Sequence, residues 1–150
     1  MTTVATKTLN ISSPAFTNNG TIPVKYTCSG AGDSSELNIK NIPSEAKTLA
    51  LIMDDPDAPN GTFVHWVMWN IPVKDKIQEN GTPGAQGKNG KSDNKYTPPC
   101  PPSGKHHYHF KVYALDTRLD LPTSTDKTSL LKAMEGHIIA EGELIGLYQK

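Results

Sequence analysis

Thr48–Ile71 reads TLALIMDDPDAPNGTFVHWVMWNI, and its two apolar halves decide the fold. Thr48–Met53 is a short continuous apolar run, the pattern of a strand buried on both faces. Phe63–Ile71 is aromatic and branched, interrupted at His65 and Asn70 and closed by Pro72, which again predicts a strand. Between the two runs Asp54, Asp55 and Asp57 crowd one proline-rich turn. Three carboxylates so close repel one another, so at least one is expected to meet a donor or a cation. A plain turn capping the first strand is the competing reading, since Asp and Pro are turn formers. Proline also fixes φ and permits a cis bond, for which Ala58–Pro59 is the candidate. A strand ending in carboxylates beside a strand carrying a buried histidine is what a pocket for a small charged ligand needs.

Outward from this stretch the chain reads mostly as short strands and loops. Leu9 and Ile11 alternate with polar residues as a first strand, and Ser12–Gly20 is a turn cluster. Ile22–Tyr26 is a weak strand broken by Pro23, hence expected at an edge. Thr27–Ser35 is loop, and Leu37, Ile39 and Ile42 lie in a further apolar run that Pro43 ends. Lys74–Lys95 is polar and Gly-rich without apparent apolar anchors, the pattern of a long surface excursion. Tyr96–His107 (YTPPCPPSGKHH) is too proline-dense for regular structure. Tyr108–Asp116 then alternates strictly, with Tyr108, Phe110, Val112 and Ala114 on one face and His109, Lys111 and Tyr113 on the other. The period changes once: Asp126 is an N-cap candidate for a short helix through Met134, with Gly136 and His137 where it stops. Ile138–Tyr148 is a last strand. Seven to nine strands and one helix predict an all-β sandwich with a helical appendage, residues 1–150 forming a single domain.

Bulk properties narrow the function classes. The 150 residues include 15 basic and 15 acidic side chains, 12 Gly and 12 Pro, and 35% hydrophobic residues. This is a loop-rich globular composition and not a disordered one. Zero formal net charge and the lack of a basic stripe exclude nucleic acid and anionic membranes as bulk partners, so any anion must be held by a local pocket. Met1–Phe16 has no apolar core flanked by Lys or Arg, and no run is long enough to span a bilayer, so a cytoplasmic address without integral membrane association is expected. In such a reducing compartment Cys28 and Cys100, far apart and outside any CxxC, are expected as two free thiols.

His65 alone would read as a hydrogen-bonded core residue. His106 and Tyr108, at i and i+2, share a face if their strand begins by His106. Two histidines, a tyrosine and an aspartate can donate hydrogen bonds to a phosphate while the carboxylate fixes an imidazole tautomer. The same residues are ligand types for zinc or iron, but there is no HxxxH, and His106 and His107 point to opposite faces, so neither metal nor cofactor is expected. A hydrolytic triad would need an activated Ser103 or Cys100 and lacks a GxSxG elbow.

DPDAP, then His65-Trp66 heading an apolar strand, then CPPSGKHHYHFKVYALD, resembles the phosphatidylethanolamine-binding protein family, in its prokaryotic, Raf kinase inhibitor-like branch. SPAF at Ser13–Phe16, IPVKYTCSG at Ile22–Gly30 and MEGHIIAEGELIGLY at Met134–Tyr148 carry the resemblance over nearly the whole chain. It implies a mainly β, Greek-key sandwich with one short C-terminal helix and long surface loops. It also implies a pocket at one end that takes phosphate, phospholipid head groups or similar anions. The site residues carried over are Asp55, Asp57, His65, Pro102, His106 and Tyr108, with Asp55 ahead of Asp57 and Asp54 structural. Two departures stand out. His107 replaces the arginine of the HRY segment. Pro98 stands where glycine is usual, which stiffens the loop and removes an N–H. No counterpart of the pocket-closing helix of eukaryotic members follows Tyr148, so a more open pocket is expected.

The leading expectation is a non-catalytic binding protein for a small phosphate-type anion. The family's reported inhibition of kinases and serine proteases implies an alternative, a protein-interaction module acting through the pocket rim. A hydrolase using His106 and Asp55 is the third reading, ranked last for want of a nucleophile. The branch also allows a homodimer through an exposed face.

Overall fold

The computed structural model describes residues 7–149, and it pairs the two halves of Thr48–Ile71 as adjacent antiparallel strands. The first six residues, part of the stretch read for a leader, lie outside the described residues. In chain order the strands are β1 (Lys7–Thr8), β2 (Asn10–Ser12), β3 (Gly20–Thr21), β4 (Leu37–Lys40), β5 (Thr48–Asp55), β6 (Phe63–Ile71), β7 (Lys76–Ile77), β8 (Ala85–Gln86), β9 (Lys105–Leu115) and β10 (Ile138–Gln149). One helix, α1 (Lys127–Met134), precedes β10. It is capped by Asp126, whose side chain accepts from the Ser129 N–H at 2.9 Å, as the sequence reading expects.

The larger sheet runs β1-β10-β9-β5-β6-β8, with β3 also alongside β10, and the smaller runs β2-β4-β7. β5 lies at the centre and is buried at every position. Its alternate residues serve two cores. Leu49, Leu51 and Met53 pack inward with Trp66, Phe110 and Val112 against Ile11, Leu37, Ile39 and Ile77 of the smaller sheet. Ala50 and Ile52 pack outward with Val67, Trp69 and Leu115 against Leu130 and Met134 of α1. A strand covered on both faces has no solvent side to show, hence the unbroken apolar run. Each such aliphatic side chain removed from water contributes about 1.5–3 kcal/mol, so burial on both faces of the sheet centre contributes heavily to stability. A mainly β sandwich with one short helix near the C-terminus is therefore what the sequence predicts and the structure has.

Four local expectations are corrected. Ile22–Tyr26 is not a strand: pairing is confined to Gly20–Thr21, and Val24–Tyr26 forms a 3₁₀ turn with the Tyr26 N–H bonded to the Pro23 carbonyl. Pro23 cannot donate to a ladder, so pairing stops before it. Lys74–Lys95 does have anchors. Ile77 is buried in the core, β7 and β8 join the two sheets, and buried Asn89 organises the rest. Its Nδ2 donates to the Lys95 carbonyl and the Thr97 hydroxyl, while its Oδ1 accepts from the Lys91 and Asp93 N–H groups. A polar anchor of this kind is invisible to hydrophobic periodicity.

The third correction is that Cys28 and Cys100 are not free thiols but form a disulfide, with Cα atoms 5.4 Å apart. Their separation of 72 residues is irrelevant once the fold lays the Thr27–Ser35 loop against the proline loop, where the Cys28 N–H also bonds the Pro99 carbonyl at 3.1 Å. Fourth, the described peptide bonds are all trans, Ala58–Pro59 included. The acidic turn reverses instead at Gly61, whose φ of +101° suits glycine.

Candidate functional site: a His-Tyr-Asp floor at one end of the larger sheet

The C-terminal end of β5 and the N-terminal ends of β6 and β9 meet at one end of the larger sheet. Strand alternation sends Asp54 and Asp55 to opposite faces. Asp55 points inward. Its Oδ2 accepts from His106 Nδ1 at 2.6 Å, and its Oδ1 accepts from the Asp57 N–H at 2.8 Å. Asp54 points outward, where its Oδ2 meets Lys127 Nζ at 2.7 Å and Lys111 Nζ at 3.4 Å. The expectation that Asp54 is structural agrees with this placement.

His65 reaches the inner face by a register shift. Met53 pairs with Trp66 but Asp54 pairs with Val64, so His65 is an extra residue in β6. Such a bulge re-aims a side chain. Simple alternation would put His65 opposite Trp66. With the bulge, Trp66 packs in the inner core while His65 lies against Tyr108 of the neighbouring face, ring centroids 5.3 Å apart. His65 Nδ1 donates to the Thr97 carbonyl at 2.6 Å. In the neutral ring Nε2 therefore carries the lone pair. Burial holds the His65 pKa below its ordinary value, opposed by the Thr97 hydrogen bond and by the charge of Asp55.

His106 and Tyr108 share a face of β9, as their spacing predicts, with ring centroids 6.3 Å apart. Tyr108 is 0% exposed, and its hydroxyl has no hydrogen-bond partner. Burial first, and the charge of Asp55 second, push its pKa up, so the hydroxyl keeps its proton and stays a donor. An orphaned buried hydroxyl costs about 1–3 kcal/mol, which an incoming acceptor would recover.

These groups floor a cavity of about 490 Å³. Its walls are apolar: Phe63, Pro59, Pro98, Pro101, Pro102 and the Cys28–Cys100 bridge. Lys91 stands at the rim, placed by the Asn89 turn through its own N–H. Gly90 beside it packs so closely that a Cβ would come within 2.5 Å of the Phe63 ring.

Of the predicted site residues, Asp55, His65, Pro102, His106 and Tyr108 line this cavity. Asp57 does not. Its Oδ2 accepts from the His107 N–H at 2.8 Å and from His107 Nδ1 at 2.7 Å, outside the cavity wall. Hydrogen bonding by His107 lowers the Asp57 pKa, against a smaller desolvation effect. The residue that replaces the family arginine thus engages the second acid of the motif. Sequence reasoning missed Lys91 and Phe63 as cavity residues, and no spacing signal could have found Lys91, whose position depends on the Asn89 turn. Among the described residues no group of three or more His, Cys, Asp or Glu side chains is arranged to hold a metal ion.

Two open sheets packed face to face, with an imidazole-phenol-carboxylate floor where the central strands of the larger one end, define a particular class of β-sandwich. A family model described as phosphatidylethanolamine-binding protein matches residues 12–149, and the chain belongs to that family. It is 46% identical over 150 residues to a UPF0098 protein of Methanothermobacter thermautotrophicus, covering 95% of this chain and 99% of the relative. A UPF0098 protein of Chlamydia muridarum is 44% identical over 149 residues, covering 95% of this chain and 99% of the relative. Among solved structures, a phosphatidylethanolamine-binding protein homologue from Chlamydia trachomatis superposes with a TM-score of 0.92 at 41% identity, covering 97% of this chain and 99% of that one. The Escherichia coli protein YbcL shares the fold, with a TM-score of 0.86 at 24% identity over 95% of this chain and 98% of its own.

Proposed function

We propose that this protein is a non-catalytic binder of small phosphate-type anions. The observation that carries the reading is the Tyr108 hydroxyl, fully buried on the cavity floor with no acceptor, between two imidazoles. An oxyanion on the floor accepts a hydrogen bond from the Tyr108 hydroxyl, and a second from His106 Nε2 when that nitrogen carries a proton. Asp55 holds the His106 ring by its Nδ1–H and balances its charge. The apolar walls exclude water and strengthen those bonds.

Hydrolysis is the weaker reading because the lining offers neither a serine nor a free thiol. No serine lines the cavity, and both cysteines are bonded to each other. No helix among the described residues is long and apolar enough to cross a membrane. The cytoplasmic address belongs to this proposal. The Cys28–Cys100 bond weighs against it, since reducing compartments keep thiols open, and alkylation of thiols in rapidly quenched cells decides the matter.

The test is a titration with inorganic phosphate and with phosphoethanolamine, followed by NMR of the imidazole protons. The His65 and His106 signals are expected to move together and to saturate in the millimolar range or below. Signals that stay fixed at that concentration would refute the reading.

A further inference from the structure

We infer that Asn60, on the rim of the cavity, is a modification site: its side-chain amide is lost spontaneously to give aspartate or isoaspartate, which adds a negative charge to the cavity wall. The Gly61 amide nitrogen gives up its proton and attacks Asn60 Cγ. A C–N bond forms, the side-chain nitrogen leaves as ammonia, and a five-membered imide results. One water then opens the ring at either carbonyl, leaving a carboxylate and a proton. The backbone is restored in aspartate and lengthened by a methylene in isoaspartate. Water is the only co-reactant.

A following glycine opens the way for this attack, because no side chain crowds its nitrogen. The chain has four such pairs, Asn19–Gly20, Asn60–Gly61, Asn80–Gly81 and Asn89–Gly90, and its other six asparagines precede residues that carry side chains. The sequence ranks the four pairs equally, and the fold does not.

Asn89 is buried, its amide makes four hydrogen bonds, and the Gly90 N–H is held by the Val64 carbonyl at 2.7 Å. Turning that amide toward Gly90 would break all four bonds. Asn80 donates from Nδ2 to Asp33 at 3.1 Å and accepts the Ser34 N–H on Oδ1 at 3.0 Å, while the Gly81 N–H bonds the Gln78 carbonyl at 2.8 Å. Asn19 is exposed, but its own N–H bonds the Ile145 carbonyl at 2.7 Å. Gly20 beside it is paired with Gly146 of β10 and gives its N–H to the Thr17 carbonyl at 2.8 Å. The peptide that must rotate there is fixed by the sheet.

Asn60 escapes these restraints. It is exposed, and among the described residues its side-chain amide has no hydrogen-bond partner. Gly61 is exposed as well, and no atom beyond its chain neighbours lies within 4 Å of the place a Cβ would take. Its N–H has a single tie, to the Ala58 carbonyl at 3.2 Å, at the long end of the hydrogen-bond range. Local opening therefore costs least at this pair.

The position gives the reaction a consequence. Asn60 lines the cavity together with Lys91, the one Lys or Arg among the lining residues. A carboxylate at position 60 offsets that positive charge and repels an incoming anion. This consequence rests on the anion-binding reading above, whereas the site itself does not.

The experiment incubates the folded protein in mildly alkaline buffer and follows the four Asn-Gly peptides by mass spectrometry, through the gain of about 1 Da that exchange of an amide for a carboxyl brings. Asn60 is expected to react about tenfold faster than Asn19, with Asn80 and Asn89 slower still. In denaturant the four rates are expected to converge within about threefold. Another asparagine reacting first in the folded protein, four equal rates there, or an order that persists in denaturant overturns the inference. Ion exchange then separates the modified protein from the intact one. The Kd for inorganic phosphate is expected to be about threefold or more weaker in the modified protein and in Asn60→Asp. Equal Kd values refute the effect on the cavity and leave the site assignment standing. Phosphate that fails to bind the unmodified protein at millimolar concentration refutes the anion-binding reading and the effect on the cavity with it, and the rate order, read by mass alone, still decides the site.

Discussion

Asp54 and Asp55 are neighbours on one strand, both almost fully buried, and they do different work. Asp54 faces the helix-covered side and is clamped by Lys127 and Lys111. Both partners are lysine ammonium groups that lie on the same carboxylate oxygen. Asp55 faces the cavity and is paired with an imidazole, which gives one nitrogen to the carboxylate and keeps the other for a ligand. A buried acid tied to lysines is a fastening, whereas the same acid tied to a histidine orients an imidazole whose other nitrogen faces the cavity. Strand alternation decided which acid received which partner.

The largest expected effect breaks the comparison on its structural side. Asp54→Ala should cost about 2 kcal/mol of stability in denaturant unfolding and leave phosphate affinity within twofold. The figure is below that for a wholly buried pair, because Lys111 and Lys127 are 32% and 25% exposed and can turn to water. If Asp54→Ala abolishes binding at unchanged stability, the two acids do not divide as stated.

Asp55→Asn is the mirror experiment. The amide can still hold His106 but cannot balance its charge, so the Kd for phosphate should weaken about tenfold while stability falls by less than about 1 kcal/mol. Tyr108→Phe sharpens the comparison further. Removing a hydroxyl that has no partner should leave stability unchanged or raise it by up to about 1 kcal/mol, while anion affinity drops about fivefold. A structural hydroxyl would show the opposite pattern.

The smallest effect concerns Asp57. Its folded pKa lies below the ordinary value because of His107, so the pair's stabilisation is complete above the unfolded value of about 4 and is lost as pH falls through the lower folded value. At 40% side-chain exposure it is worth no more than about 0.5 kcal/mol. His107→Ala should return the Asp57 carboxyl titration, followed by NMR, to the ordinary range with little change in the anion Kd.

Much of this was legible in the residue order. The unbroken apolar run of Thr48–Met53 identified the central strand because burial on both faces suppresses alternation. The i, i+2 spacing of His106 and Tyr108 placed them on one face because the strand period is two. The capping of α1 by Asp126 followed from local hydrogen-bonding chemistry. Polar anchoring within a loop was not legible. Asn89 binds four backbone and hydroxyl groups that lie within eight residues of it, yet nothing in the polar, Gly-rich stretch around it announces this. The free-thiol expectation failed for a related reason. Compartment arguments say nothing about which loops the fold lays together, and here it lays Cys28 on Cys100.

By itself the sequence determined the long strands of the larger sheet, the helix and which residue types are available to a pocket, because these depend on periodicity and local chemistry. Only the tertiary structure decided that Asp55 and not Asp54 reaches His106, that a bulge turns His65 inward beside Tyr108, and that Lys91 stands at the rim. Those outcomes depend on register between strands distant in the chain. A shift of one residue exchanges the two faces of a strand without changing its composition.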